Sequence, residues 1–324
     1  MNKKYYLITG VAGFIGSHLT EKLLKDGHFI IGIDNFETGL KENMSSFIDH
    51  SNFTFYDKDL SNNDDVNDLI ALFGYKKLNI DGVYHVSAKA RISPSIKNPS
   101  RTFACNVDAT FNILELCRAL NIKKLIYSAS SSAYGNTIKL PNMPNDPINC
   151  NNPYSITKYI GEELCKTWSK CYGINTISLR YFNVYGARSQ LEGQYAPVVG
   201  IFFRQLLQEK KPMTIIGTGE QLRDFTYISD VINANLAAMK KCEKHTGRVF
   251  NVGYGVNYSI NKLAKLISGE FEYIPARAHD AKETLASIKD TIRHLDWEPV
   301  VPLEMGIEIM RDYYTKLFTN EEQN

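Results

Sequence analysis

Short apolar runs recur through the first half of the chain, separated by stretches in which apolar positions return at three- and four-residue intervals. The runs predict strands at 4–9, 29–33, 53–56, 80–86, 123–129 and 174–181. Near-continuous hydrophobicity is what a parallel strand covered on both faces requires. Between the first two, Leu19, Leu23 and Leu24 share one helical face among Glu21, Lys22 and Lys25. Pro99 to Leu120 and Pro153 to Tyr172 read as long helices. The stretch 135–153 carries Pro141, Pro144, Pro147 and Pro153 among asparagines and reads as a loop. Strand alternating with helix predicts an α/β fold with a doubly wound parallel sheet. Beyond about residue 181 the alternation breaks down, so a first domain over 1–180 and a smaller, less regular one over 181–324 are expected.

The first strand runs into Thr9-Gly10-Val11-Ala12-Gly13-Phe14-Ile15-Gly16. Glycines at 10, 13 and 16 permit a tight turn, close approach of backbone to a pyrophosphate, and close helix–strand packing. The helix that follows offers free N–H groups and a positive dipole end to phosphates. The spacing is G-x-x-G-x-x-G rather than G-x-G-x-x-G. The second strand ends at Asp34, whose carboxylate accepts from both ribose hydroxyls and repels a 2′-phosphate, so NAD is favoured over NADP. The pattern is that of a Rossmann-type dinucleotide site.

Further along, Tyr154 and Lys158 stand one helical turn apart and share a face. A phenol titrates near ~10, too high for a general base at neutral pH, and a nearby positive charge brings it down. Three consecutive serines, Ser130-Ser131-Ser132, precede the tyrosine by about one element. His85 ends a buried run and reads as a core histidine.

Composition narrows the picture. The 324 residues are enough for a sizeable core and one or two domains. Net charge is only +2 and no Lys/Arg run exceeds two residues, so neither nucleic acid nor an anionic membrane is an expected partner. Six cysteines form no C-x-x-C and the histidines no metal-ligand spacing, so no metal is predicted. Scattered thiols suit a reducing cytoplasm, and the first residues are too short for a signal peptide or a spanning helix.

The glycine pattern, Asp34, the serine triplet ahead of Tyr134-Gly135, and Tyr154 with Lys158 resemble the extended short-chain dehydrogenase/reductases, and within them the nucleotide-sugar epimerases and dehydratases. Arg180-Tyr181-Phe182-Asn183-Val184-Tyr185-Gly186, Gly217-Thr218-Gly219-Glu220 through Arg223-Asp224-Phe225, and Phe250-Asn251-Val252-Gly253 extend the resemblance over nearly the whole chain. It implies an interleaved path in which 247–253 returns to the large sheet, and a homodimer formed through a four-helix bundle. The implied cofactor set is Gly10, Gly13, Phe14, Ile15, Gly16, Asp34, Asn35, Asp59 (to the adenine amine), Leu60, Ser87, Ala88 and Asn106, with Tyr154 and Lys158. The implied catalytic set is Ser130, Tyr154 and Lys158. Tyr154 removes the 4-OH proton as hydride leaves C4 for NAD; the 4-keto sugar turns over and is reduced on its other face.

For a UDP-sugar the resemblance implies Lys89, Ser131, Ser132, Asn183 and Arg223 at the diphosphate and sugar, Thr214 within the backbone that holds uracil, and Arg277 and Asp280 at the phosphate and ribose. His279 stands where the family's Arg-x-Gly-Asp has glycine. The family's 4,6-dehydratases carry an acid and a base at the positions of Ser130-Ser131-Ser132, and serine has neither the pKa nor the charge for that elimination. C4 epimerisation is therefore expected. Thr284 falls where 4-epimerases carry a gatekeeper, and a small residue there favours N-acetylated UDP-hexoses or a broad enzyme. Lys89, Arg91 and Ser93 occupy a loop facing the sugar, where two cations would suit the carboxylate of UDP-glucuronate. Other readings are a 4-keto reductase and an NAD-binding sensor without turnover.

Overall fold

The computed structural model of the chain describes residues 3–137, 139–192, 196–275 and 282–321. Six of the predicted runs form strands β1 (Tyr5–Thr9), β2 (Phe29–Asp34), β3 (Phe53–Asp57), β4 (Gly82–His85), β5 (Lys124–Ser130) and β6 (Asn175–Tyr181). A seventh, Arg248–Val252, pairs in parallel with β6, with Phe250 opposite Leu179. The sheet order is 248–252, β6, β5, β4, β1, β2, β3, and every pairing in it is parallel.

Strand side chains alternate between two apolar layers. Tyr6 and Ile8 pack on one side, with α1 (Phe14–Lys25) and the helix Ile228–Lys241. Leu7 packs on the other, with Val66, Leu69 and Phe73 of helix Asn63–Tyr75. The chain runs outward from β1 in one direction and from β4 in the other. The carboxyl ends of these two neighbours therefore flank a topological switch point, where open α/β sheets bind ligands.

A third apolar cluster, including Phe202, Phe203, Met213, Leu263 and Tyr314, forms the core of the later part of the chain. It supports small two-stranded pairings, among them Leu222–Asp224 with Asn257–Ser259 and Met213–Ile216 with Phe271–Ile274. These carry residues 214 and 223 to the mouth of the switch point.

Two predicted elements differ. The expected strand 80–86 contracts to 82–85, because Asp81 is occupied with the backbone of Tyr5. The single helix from Pro99 to Leu120 is interrupted by a widened π turn at Ala104–Asp108, a feature frequent at functional sites. Here the Asn106 carbonyl accepts from the Thr110 hydroxyl at 2.6 Å, and the Asn106 side chain is directed inward. All six cysteines are free. Among the described residues no helix is long and apolar enough to cross a membrane.

Candidate functional site

A cavity of about 690 Å³ opens along the carboxyl ends of the sheet and continues beneath the later part of the chain. At one end lies the glycine turn. Gly10 has φ +74°, and a Cβ there would sit 2.9 Å from the Ser87 backbone, so only glycine fits between β1 and the loop after β4. Gly13 N–H donates to the Gly10 carbonyl at 3.0 Å. No side chain caps α1, so its first N–H groups face the cleft. Ser87 Oγ is buried without a hydrogen-bond partner. Asp34 accepts from the N–H groups of Ala12 and Phe36, both at 2.9 Å, and burial raises its carboxyl above the usual range. Unclaimed helix N–H groups, an orphaned hydroxyl and a carboxylate at the end of β2 fit the pyrophosphate and ribose of NAD.

Phe14, Ile15, Gly16, Asn35, Asp59, Leu60 and Ala88 line the same wall. Asn35 Oδ1 accepts from Glu37 N–H at 3.1 Å. Asp59 accepts from Ser61 N–H (2.9 Å) and from Arg101 (2.7 Å). Arg101 also clamps Glu37. Burial alone would raise the Glu37 carboxyl; hydrogen bonds from Arg101 and Lys89 outweigh it and hold the group at about 2.

Two further residues of this wall are tied into the fold. Lys89 lines the cavity, with its ammonium 2.6 Å from Glu37. Asn106 is 1 % exposed. It accepts from Lys89 N–H (2.7 Å) and donates to Lys89 O (3.1 Å) and Thr157 Oγ1 (2.9 Å). It therefore anchors the loop after β4 to the Pro153–Tyr172 helix.

The second part of the site is set by that helix. Asn152 caps it, accepting from Ser155 N–H at 2.9 Å, while Ser155 Oγ returns a bond to the Asn152 backbone, and Pro153 occupies the first turn. This fixes Tyr154 at the cleft, where its N–H donates to Ser95 Oγ at 3.1 Å. Ser130, at the end of β5, accepts from both Ser132 N–H (3.2 Å) and Ser132 Oγ (2.9 Å). With its acceptor positions filled, its own hydroxyl proton is left free for the neighbouring Tyr154 phenol, whose pKa Ser130 lowers.

Burial raises Tyr154 above the ordinary phenol value, opposed by the Ser130 hydrogen bond and by the charge of Arg91. Lys158 lies 4.5 Å over the Tyr127 ring, and burial lowers it to about 8. Arg91 adds a positive charge near the phenol that lowers its pKa. Arg91 lines the cleft with φ +83° and ψ 146°, a region costing a non-glycine residue about 1–3 kcal/mol. His85 is a neutral core residue: its ring bonds Thr9 and Thr110, and burial drives it to about 3.

At the far end, Ser131, Thr214, Arg223 and Thr284 line the cavity with Asn183. The Asn183 amide donates to Asp224 O and Thr284 Oγ1, both at 3.0 Å. Its two amide N–H groups thus hold the Asp224 and Thr284 segments together at the wall of the site. Thr214 Oγ1 accepts from Gln205 at 2.9 Å, and Arg223 donates to Leu222 O at 2.9 Å. Asp224, pushed up to about 6 by burial, accepts from Tyr254, Gly255 and Ala286 N–H groups and so fastens the Thr284 segment to the sheet edge. Arg277 and Asp280 lie outside the described residues.

The model of the NAD dependent epimerase/dehydratase family matches residues 6–253. A putative UDP-glucose 4-epimerase of Methanocaldococcus jannaschii is 36% identical, over 93% of this chain and 95% of its own. The crystal structure of UDP-glucose 4-epimerase from Thermotoga maritima with UDP-glucose superposes with TM-score 0.88 at 34% identity, covering 97% of this chain and 99% of that one. UDP-glucuronic acid 4-epimerase from Bacillus cereus, in complex with UDP-glucuronic acid and NAD, gives 0.85 at 33%, with coverage of 97% and 99%.

Proposed function

Because the chain belongs to the NAD dependent epimerase/dehydratase family, we propose that it interconverts UDP-hexoses at C4, taking UDP-N-acetylglucosamine/N-acetylgalactosamine, UDP-glucose/galactose, or both. The observation that carries this reading is the Ser132–Ser130–Tyr154 relay at the cleft, with no carboxylate among residues 130–132. Bound NAD would supply a reversible hydride acceptor for the sugar's C4. The chain's own part is proton handling. Tyr154 takes the proton of the 4-hydroxyl and later returns it, Ser130 donates to the phenolate oxygen, and Lys158 and Arg91 hold positive charge around it. Nothing at 130–132 can remove a C5 proton or expel a 6-hydroxyl.

Thr284 supports acceptance of a C2 acetamido group, since its short side chain is drawn back by Asn183 and the Asp224 N–H. Thr284→Tyr is expected to depress turnover of N-acetylated substrates at least about tenfold more than that of UDP-glucose, the scale of a steric clash in a sugar pocket. Parallel kinetics on both substrates check this, and equal effects would remove Thr284 as gatekeeper. A second reading, UDP-glucuronate 4-epimerisation, is favoured by Arg91, a guanidinium held in the cleft beside Tyr154 at a backbone cost. Incubation with a panel of UDP-sugars, with products resolved chromatographically, tests the whole proposal. C4 epimers support it, their identity selects the substrate, and a 4-keto-6-deoxy product would overturn it.

The same reading includes a homodimer built on the helices spanning 99–119 and 153–172, which expose Phe103, Phe111, Ile156 and Tyr172, and a cytoplasmic setting that suits six free thiols.

A further inference from the structure

The face that carries Tyr154 and Lys158 continues one turn further to Glu162. Lys158 and Glu162 are 4 % and 2 % exposed, and a buried carboxylate four residues from an ammonium would ordinarily capture it. Here the two form no ion pair among the described residues. Glu162 instead gives both oxygens to Arg180 of β6, with Nε–Oε1 at 2.9 Å and Nη2–Oε2 at 2.6 Å. Arg180 is itself 3 % exposed and fixed on every side. Its Nη1 donates to Pro144 O at 3.1 Å, and its guanidinium stacks 4.6 Å over Tyr134, whose hydroxyl donates to Asn251 at 2.6 Å. A buried ion pair is a poor source of stability, because desolvation offsets the attraction and apolar residues of the same volume do as well. Its place at the end of the catalytic face calls for another reason.

We propose that Glu162 and Arg180 are positioning residues for the Tyr154–Lys158 unit. The guanidinium pins the Glu162 carboxylate against β6, so that its negative charge supports the Lys158 ammonium from one turn away without drawing it down the helix and away from the Tyr127 ring. This leaves Lys158 over the Tyr127 ring, whose hydroxyl donates to the Lys158 carbonyl at 3.3 Å. The charged and titratable groups around Lys158 are Glu162 and Cys165 on its own helix, Tyr127 of β5 and His85 of β4. Around Glu162 they are Arg180, Lys158, Tyr127, Tyr134, Cys150, Tyr159, Glu163 and Cys165. Burial lowers Lys158 and Glu162 opposes that. Removing the carboxylate's charge therefore moves the loss of the ammonium proton, and with it the alkaline limb of activity, to lower pH.

The test is the pH profile of UDP-sugar interconversion in the full-length protein carrying Glu162→Met with Arg180→Met, an apolar pair that fills the same space. Expected are an alkaline limb displaced downward by about half a pH unit or more and a kcat at neutral pH lower by about tenfold with KM within about twofold of wild type. If the double variant fails to fold, Glu162→Gln carries the test, since the amide oxygen still accepts one of the two Arg180 bonds but the side chain has no charge, and the same displacement is expected. A purely structural pair would alter thermal stability at most and leave the limb and kcat in place. That outcome in either folded variant overturns the proposal.

Discussion

Replacing Tyr154 with phenylalanine is expected to lower C4 interconversion by about 10²–10⁴-fold while NAD remains bound, the range attributable to losing one positioned proton acceptor. The ring keeps its packing, and two features that place the residue do not involve its own side chain: its N–H to Ser95 Oγ and the Asn152 side-chain cap on Ser155 N–H. What disappears is the oxygen to which Ser130 donates. Turnover of UDP-sugar by chromatography and NAD content released on denaturation check the two halves separately. Near-wild-type turnover would mean that another group accepts the proton. Loss of NAD would mean that the phenol is holding the cleft together rather than reacting in it. The companion variant Arg91→Met tests the field around the phenol. Burial raises Tyr154, and Arg91 is one of the two influences opposing it. The acidic limb of activity, where the phenol must give up its proton, is therefore expected to move to higher pH, and an unmoved limb would place Arg91 elsewhere in function.

The two halves of this site differ in how far the sequence disclosed them. The β1 turn was legible because its constraints are local: three glycines, a strand before and a helix after leave one arrangement, and Asp34 follows from the length of a helix and a strand. Tyr154 and Lys158 were legible for the same reason, one helical period. Arg91 was read as a cation of the loop facing the sugar, but its conformation and its nearness to the phenol were not, since a glycine-like backbone conformation leaves no mark in a hydrophobicity pattern. Its conformation is imposed from outside, by Asn106 on one side of the loop and Ser95 on the other. The ion pair of Lys89 was hidden for a different reason: nothing in a periodic pattern joins it to Glu37, fifty-two positions earlier. Asn183 and Asn106 share a lesson: a buried amide spends its donors on the nearest backbone or hydroxyl before any ligand arrives. The π turn around Asn106 is of the same kind, a helix widened by tertiary contact where the sequence reads as uninterrupted.

Gly16→Ala is expected to produce the largest loss at the cofactor end, with NAD no longer copurifying and stability reduced by about 1–3 kcal/mol, the usual cost of overpacking a fitted interior. A Cβ at this position overlaps the Gly10 carbonyl oxygen and lies 2.7 Å from its carbon and 3.1 Å from Val11 Cα. These are backbone atoms, so no side chain can rotate away. The turn must separate from the start of α1, and that separation removes the N–H groups from the pyrophosphate. Gly27→Ala is the matched control. It also sits in a turn, at φ +83°, but nothing lies within 4 Å of its added carbon. It should show only the backbone cost of about 1 kcal/mol and full NAD content. Thermal unfolding and bound-NAD measurements on the two variants separate strain from overlap. If both lose cofactor equally, the glycine turn acts through general stability. If Gly27→Ala alone keeps it, the close approach of Gly16 to Gly10 is what shapes the seat for the dinucleotide.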